Sequence, residues 1–257
     1  MKETEMKQLK EYIKEGLFDD LEEIEKIGGM ESNIKQLKKE IEEWIKENYY
    51  KNKLKISNKP NKDGLYEVTA ENVEVKSRNN DITSLTNGLF IWKEVNDFFI
   101  CTGCKNLTSL EGAPKKVGGD FSCAYCTSLE SLEGCPKEVG GWFSCAHCNS
   151  LSSLKGAPEK VDKDFSCFDC KSLKSLEGAP EKVGNDFICS HCKSLKTLKG
   201  APEKVGEGFS CNECKNLSSL KGAPKEVGGD FNCCKCGTQF TEDDVKKVSN
   251  VKGNINC

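Results

Sequence analysis

Arginine is almost absent from this 257-residue chain: of its 38 basic residues, only Arg78 is not a lysine. Nucleic-acid sites favour the planar guanidinium fork, which grips phosphates and guanine edges with paired bonds, so one arginine and a net charge of −3 argue against a nucleic-acid partner. Long apolar runs are missing as well. No stretch of about 18 apolar residues is present to cross a membrane, and Met1 to Lys7 lacks the apolar centre of a secretory leader. These absences predict a cytoplasmic protein without membrane contact. Phosphate-binding loops, nucleophile elbows and metalloprotease motifs are also lacking. The expectation is a non-enzymatic chain that needs no cofactor and no metal.

What the chain does have is repetition. Phe99, Phe121, Phe143, Phe165, Phe187, Phe209 and Phe231 recur every 22 residues, and the first six open the pattern F-x-C-x-x-C-x-x-L-x-x-L-x-G-x-P-x-x-V. A fixed period of this size is the signature of a solenoid. One repeat cannot bury its apolar face alone, so copies stack into a continuous core and leave columns of variable residues toward solvent.

The array has distinct ends. Residues 1–53 contain no proline and space their apolar residues helically. Met6, Leu9, Tyr12, Ile13, Leu17, Leu21 and Ile24 form one stripe that breaks at Gly28 and Gly29, and Ile34, Leu37, Ile41, Trp44 and Ile45 form a second after Ser32. Nine lysines face fourteen acids over residues 1–50. This is the pattern of a helical cap with a solvated charged face, or of a separate helical hairpin for a partner. The solenoid then runs over residues 54–257, with a degenerate first repeat at 54–98 that contains Val73, Val75, Ile82, Leu85, Gly88 and Val95. Regular repeats follow at 99–240, and a capping helix and strand at 241–257. There Val251-x-Gly253-x-Ile255-x-Cys257 repeats Val227-x-Gly229-x-Phe231-x-Cys233, giving about nine parallel strands in all.

The core F-x-C-x-x-C-x-x-L, as in Phe121, Cys123, Cys126 and Leu129, resembles the leucine-rich repeat superfamily, with the second cysteine at the family's Asn/Cys position. The Pro136-x-x-Val139 stretch is similar to bacterial, proline-bearing varieties. The resemblance covers residues 70–257. It implies a leucine-rich-repeat-like parallel β solenoid with an N-terminal α-helical cap, and partner binding on the concave face.

Seventeen cysteines raise the alternatives of zinc knuckles or a disulfide scaffold. Seven C-x-x-C pairs do not divide into four-thiolate sites. Val75 takes the first-cysteine place in the first repeat, Cys257 takes it at the last strand, and Cys135 stands where other repeats have Ala113, Ala157, Ala179, Ala201 and Ala223. Cysteine trades places here with small apolar residues, which predicts reduced, buried thiols.

Because alternate strand residues point to opposite faces, Phe and the first Cys go inward and their neighbours outward. The outward columns carry Tyr125, Trp142, Phe168 and Ile188 among Asp164, Asp169 and Asp186, a mixture of apolar anchors and polar rim suited to a protein partner. His147 and His191 share a column with Asp169 between them, which suggests a stacked His/Asp/His group, although that column also accepts Gly103, Glu213 and Lys235. The sequence therefore predicts a non-enzymatic protein-binding solenoid, such as a bacterial or phage effector or inhibitor. A zinc- or redox-dependent cysteine protein and a structural or adhesive array are the alternatives.

Overall fold

In a computed structural model, which describes residues 30–76 and 82–257, the repeats wind into a β-solenoid whose coils each give one short strand to each of two sheets. The helix expected over residues 6–24 lies outside the described residues. One sheet is built from Phe strands such as Phe121–Ser122, Phe143–Ser144 and Phe165–Ser166, paired in register so that Phe143 lies beside Phe121 and Phe165. The other is built from Val strands such as Glu138–Val139, Lys160–Val161 and Lys182–Val183. Each sheet has ten strands. In the Phe sheet one edge strand is antiparallel, and the other nine match the nine segments expected from sequence. The Val sheet is unanticipated. A two-residue strand turns a single side chain inward, so it offers no alternation to detect.

Register follows from what must be buried. Phe121, Cys123, Cys126, Leu129 and Leu132 are all fully buried, as are their counterparts in the coils on either side, and Val139 closes the circuit. The phenylalanine rings form a column with centroids 5.7, 5.6, 5.0, 5.1, 5.6 and 5.0 Å apart from Phe99 to Phe231. Aromatic neighbours of this kind add about 0.5–1.5 kcal/mol beyond the area they bury, so a register slip would forfeit the stack as well as the core.

The chain turns through two left-handed corners per coil. At the L-x-G corner, Gly134 has φ +87°, and a Cβ there would stand 2.5 Å from the backbone of Leu110 in the preceding coil. Only glycine fits. At the corner inside C-x-x-C, the first regular coil has Gly103 (φ +78°) with nothing within 4 Å of an added Cβ. Side chains fit there, and the later coils use them.

The N-terminal end is covered by helix α1 (Met30–Asn48), whose stripe Leu37, Ile41 and Ile45 joins the solenoid core. The helix stops at Asn48. Residues 49–52, expected to be helical, form strand β1 (Tyr49–Asn52), because Tyr49 is needed on the first coil. β1 is followed by β2 (Lys55–Ile56), β3 (Tyr66–Ala70), β4 (Asn72–Val75) and β5 (Phe90–Val95). β1 pairs antiparallel with β4 and β2 antiparallel with β3, closing one edge of each sheet. The Tyr49 ring ends the phenylalanine column 6.2 Å from Phe99, with Trp92 and Trp44 at 5.5 and 5.7 Å, and both its hydroxyl and the Trp92 indole N–H donate to the Leu85 carbonyl. At the other end, helix α2 (Glu242–Lys246) is started by a capping box. The Asp244 N–H donates to Thr241 Oγ1, the Thr241 N–H donates to Asp244 Oδ2, and Val245 is buried. No described helix is long and apolar enough to cross a membrane.

Candidate functional site

The C-x-x-C pairs are backbone fasteners. In three central coils the carbonyl of the first cysteine accepts the N–H of the second: Cys123 O from Cys126 N and Cys145 O from Cys148 N at 3.3 Å, and Cys167 O from Cys170 N at 3.4 Å. The carbonyl of the first cysteine also accepts a thiol from the following coil, in these three and in their neighbours. Cys126 donates to Cys101 O, Cys148 to Cys123 O, Cys170 to Cys145 O, Cys192 to Cys167 O, Cys214 to Cys189 O and Cys236 to Cys211 O, all at 3.1–3.2 Å. The thiol contact with the next coil and burial hold Cys123, Cys145, Cys167 and Cys211 in the protonated form well above the ordinary thiol range, and burial does the same for Cys189. Sequence reasoning treated these thiols as apolar filling and missed the ladder, whose signal was the unbroken 25-residue step from donor to acceptor. The expectation of burial holds only in part at Cys135, which is partly exposed, and fails at the last coil. Cys234 and Cys236 are partly exposed and Cys257 is exposed, because no described coil follows to cover them.

The outer surface of the Phe sheet is where the expected binding residues lie. Asp120, Asp164, Asp186 and Asp230 form a second ladder. Asp120 Oδ1 accepts the Trp142 N–H at 2.9 Å, Asp164 Oδ1 the Asp186 N–H at 3.2 Å, Asp186 Oδ1 the Gly208 N–H at 2.7 Å, and Asp230 Oδ1 the Asn254 N–H at 2.7 Å. Asp164 and Asp186 thus serve the fold with one oxygen, and their column is legible as caps for strand-entry amides.

Beside this ladder Trp142, Phe168 and Ile188 are half-buried on the sheet, and Tyr125 is 51% exposed. Tyr125, His147, Asp169, His191, Glu213 and Lys235 occupy the open left-handed corner, with φ between 51° and 63°. A non-glycine residue in that conformation costs about 1–2 kcal/mol. Their side chains form a ridge across the coils. Tyr125 stacks on His147 with centroids 4.3 Å apart, and Phe168 lies between His147 at 5.3 Å and His191 at 4.9 Å. His147 Nδ1 is 3.1 Å from Asp169 Oδ2, whereas His191 turns toward Glu213, 3.8 Å away. The stacked His/Asp/His group does not form, because the Phe168 ring stands between the imidazoles. Among the described residues, no cluster of His, Cys, Asp and Glu has the arrangement of a metal site.

The outer surface of the Val sheet is different in kind. Lysines and glutamates from successive coils pair across it: Lys116 with Glu138, Lys137 with Glu159, Lys204 with Glu226 and Lys225 with Glu203. These are exposed ion pairs, each contributing little to stability. No protein-family model, curated protein or solved structure matches the chain.

Proposed function

We propose that this chain is a non-enzymatic binding solenoid, akin in type to the leucine-rich repeats, that holds another protein on the outer surface of its Phe sheet. The observation that carries this reading is the ridge from Tyr125 to Lys235. Six successive coils keep a side chain in a backbone conformation that glycine adopts without strain, as Gly103 does in the first regular coil. Those side chains do not fill the core. Trp142, Phe168 and Ile188 lie beside the ridge as half-buried apolar anchors, with Asp164, Asp169 and Asp186 around them, the composition of an interface centre. An effector or inhibitor acting on the bound protein is the role this reading favours.

The test is a Trp142→Ala, Phe168→Ala variant, compared with the parent for thermal midpoint and for capture of an interacting protein from cells of the native source. The variant is expected to fold and to bind at least about tenfold more weakly, which corresponds to about 1.4 kcal/mol. Unchanged affinity, combined with loss of binding on removal of residues 1–53, would place the contact on the helical segment instead.

A further inference from the structure

We infer that the partner presents lysine or arginine side chains to the Phe-sheet surface, an inference that rests on the protein-binding reading above. Cations are scarce on this surface. Each coil places four residues on this side of the sheet, the one before Phe, the one after it, and the two between the cysteines, and of these Ser122, Ala124, Ser144 and Ser190 are covered by their neighbours. Over the six coils from Phe98 to Glu213 these are 24 positions, and none is lysine or arginine, in a chain with 38 such residues. The same positions hold Asp120, Asp164, Asp169, Asp186 and Glu213. Around the coil on the Val-sheet surface the lysines return at once, in Lys116, Lys137, Lys160, Lys182, Lys204 and Lys225. Charge is mixed and mutually neutralised on one side of the solenoid and predominantly acidic on the other, where Lys235 in the last coil is the one lysine of the ridge.

Aromatic faces complete the match. Along the ridge Tyr125 stacks on His147, Phe168 meets His147 edge to face and His191 at a tilt, with Tyr125 half-exposed and the Asp169 carboxylate at the same level. A cation is attracted to the face of an aromatic ring and to a carboxylate beside it, and the aliphatic stem of lysine or arginine covers apolar surface on the way. Nucleic acid and anionic lipid would meet five carboxylates against two lysines at the margin, Lys171 at 3.9 Å from Asp169 and Lys235 at 3.7 Å from Glu213, so a basic protein segment is the occupant this surface favours.

The test is selection of displayed random peptides on the immobilised full-length protein, with the Trp142→Ala, Phe168→Ala variant as counter-target. Individual peptides are then titrated by fluorescence anisotropy. Asp169→Asn and Glu213→Gln remove charge without adding bulk, and asparagine tolerates the left-handed corner. Selected peptides should be enriched in lysine and arginine, lose at least threefold in affinity to the Asp169→Asn, Glu213→Gln double variant, and weaken as salt rises. Peptides that need Trp142 and Phe168 but carry no excess of basic residues would overturn the charge inference and leave protein binding standing. If no selected peptide depends on Trp142 and Phe168, both fall.

A separate observation marks a modification site. The pairing of Phe231 with Ile255 and Asn232 with Asn256 brings Cys233 opposite Cys257, and their sulfurs lie 3.1 Å apart. Neighbouring strands stand at the Cα spacing that a disulfide spans. Cys257 is the exposed member. We propose that this pair forms a disulfide by exchange with a low-molecular-weight disulfide such as oxidised glutathione. The Cys257 thiolate attacks one sulfur of the oxidant and expels one thiolate. Cys233, losing its proton to solvent, then attacks the mixed disulfide and expels the second, so two protein thiols are oxidised and one small disulfide is reduced to two thiols. Intact mass and peptide mapping after treatment with oxidised glutathione should show loss of two hydrogens and a Cys233–Cys257 cross-link, absent in Cys257→Ser. A persistent glutathione adduct on Cys257, or a link through Cys234 or Cys236, would overturn the assignment.

Discussion

The thiol of Cys170 donates to the carbonyl oxygen of Cys145 across 3.1 Å, joining one coil to the one before it at a point the strands do not reach. The same carbonyl already accepts the Cys148 N–H, so the thiol satisfies the lone pair the turn leaves over. Cys170→Ala is therefore expected to destabilise the protein by about 1–3 kcal/mol, through an under-satisfied buried carbonyl and the lost sulfur volume. Cys135→Ala, at a position where five other coils already carry alanine, should change stability by less than about 0.5 kcal/mol. Equal losses in urea denaturation would contradict the ladder's role.

Alkali should unfold the protein earlier than its composition suggests. In the folded state the contact with the next coil's cysteine and burial raise Cys123, Cys145, Cys167 and Cys211 well above their ordinary value of 9.0, and burial raises Cys189. An unfolded chain releases those protons near the ordinary value while the folded chain keeps them. Their contribution is thus complete below about pH 8 and declines as pH rises further. Denaturation midpoints at about pH 7 and about pH 10 should differ clearly, and a flat profile would mean that the thiols ionise without unfolding.

The two left-handed corners predict opposite responses to substitution. Lys235 has φ +58° and an exposed side chain, with Glu213 3.7 Å away as a weak surface partner, so Lys235→Gly should stabilise the protein by about 1 kcal/mol. Gly134→Ala should destabilise by more than about 1 kcal/mol, since its Cβ would meet the Leu110 backbone at 2.5 Å. Thermal scans of both variants decide the matter. A loss of stability in Lys235→Gly would show that the ridge side chain, not the corner, is what holds that coil.

The aspartate ladder can be separated from binding. Asp186→Ala leaves the Gly208 N–H without the carboxylate 2.7 Å away and should cost about 1.5–3 kcal/mol, whereas Asp186→Asn keeps an acceptor and should recover most of that. If both variants are as stable as the parent, the column is a surface feature without a structural task.

The period, the burial of Phe, Cys and Leu, and the strand positions of the Phe sheet were legible because they recur, and recurrence separates pattern from composition. Three things were not. The Val sheet shows a single buried residue per coil, too little for a periodicity. The hydrogen bond of Cys170 links residues 25 apart, and a cysteine at an apolar position carries no mark that its proton is engaged. The character of the Tyr125 column was hidden because backbone handedness is announced in a sequence by glycine, and here only Gly103 announces it. The candidate residues Trp142, Phe168 and Ile188 do share the surface foreseen for them, half-buried rather than raised from it, while His147 and His191 are parted by a ring that a column-by-column reading places one position away.

The open corner inside C-x-x-C separates what builds this molecule from what it displays. A change at Tyr125, His147 or Glu213 touches neither the aromatic column nor the thiol ladder, so the ridge can be rewritten one side chain at a time while the scaffold stays fixed. Lineages that duplicate or lose a coil would lengthen or shorten the row by one position and leave its neighbours where they were. Recognition would then diversify at the pace of surface drift, sheltered from the constraint that governs the core.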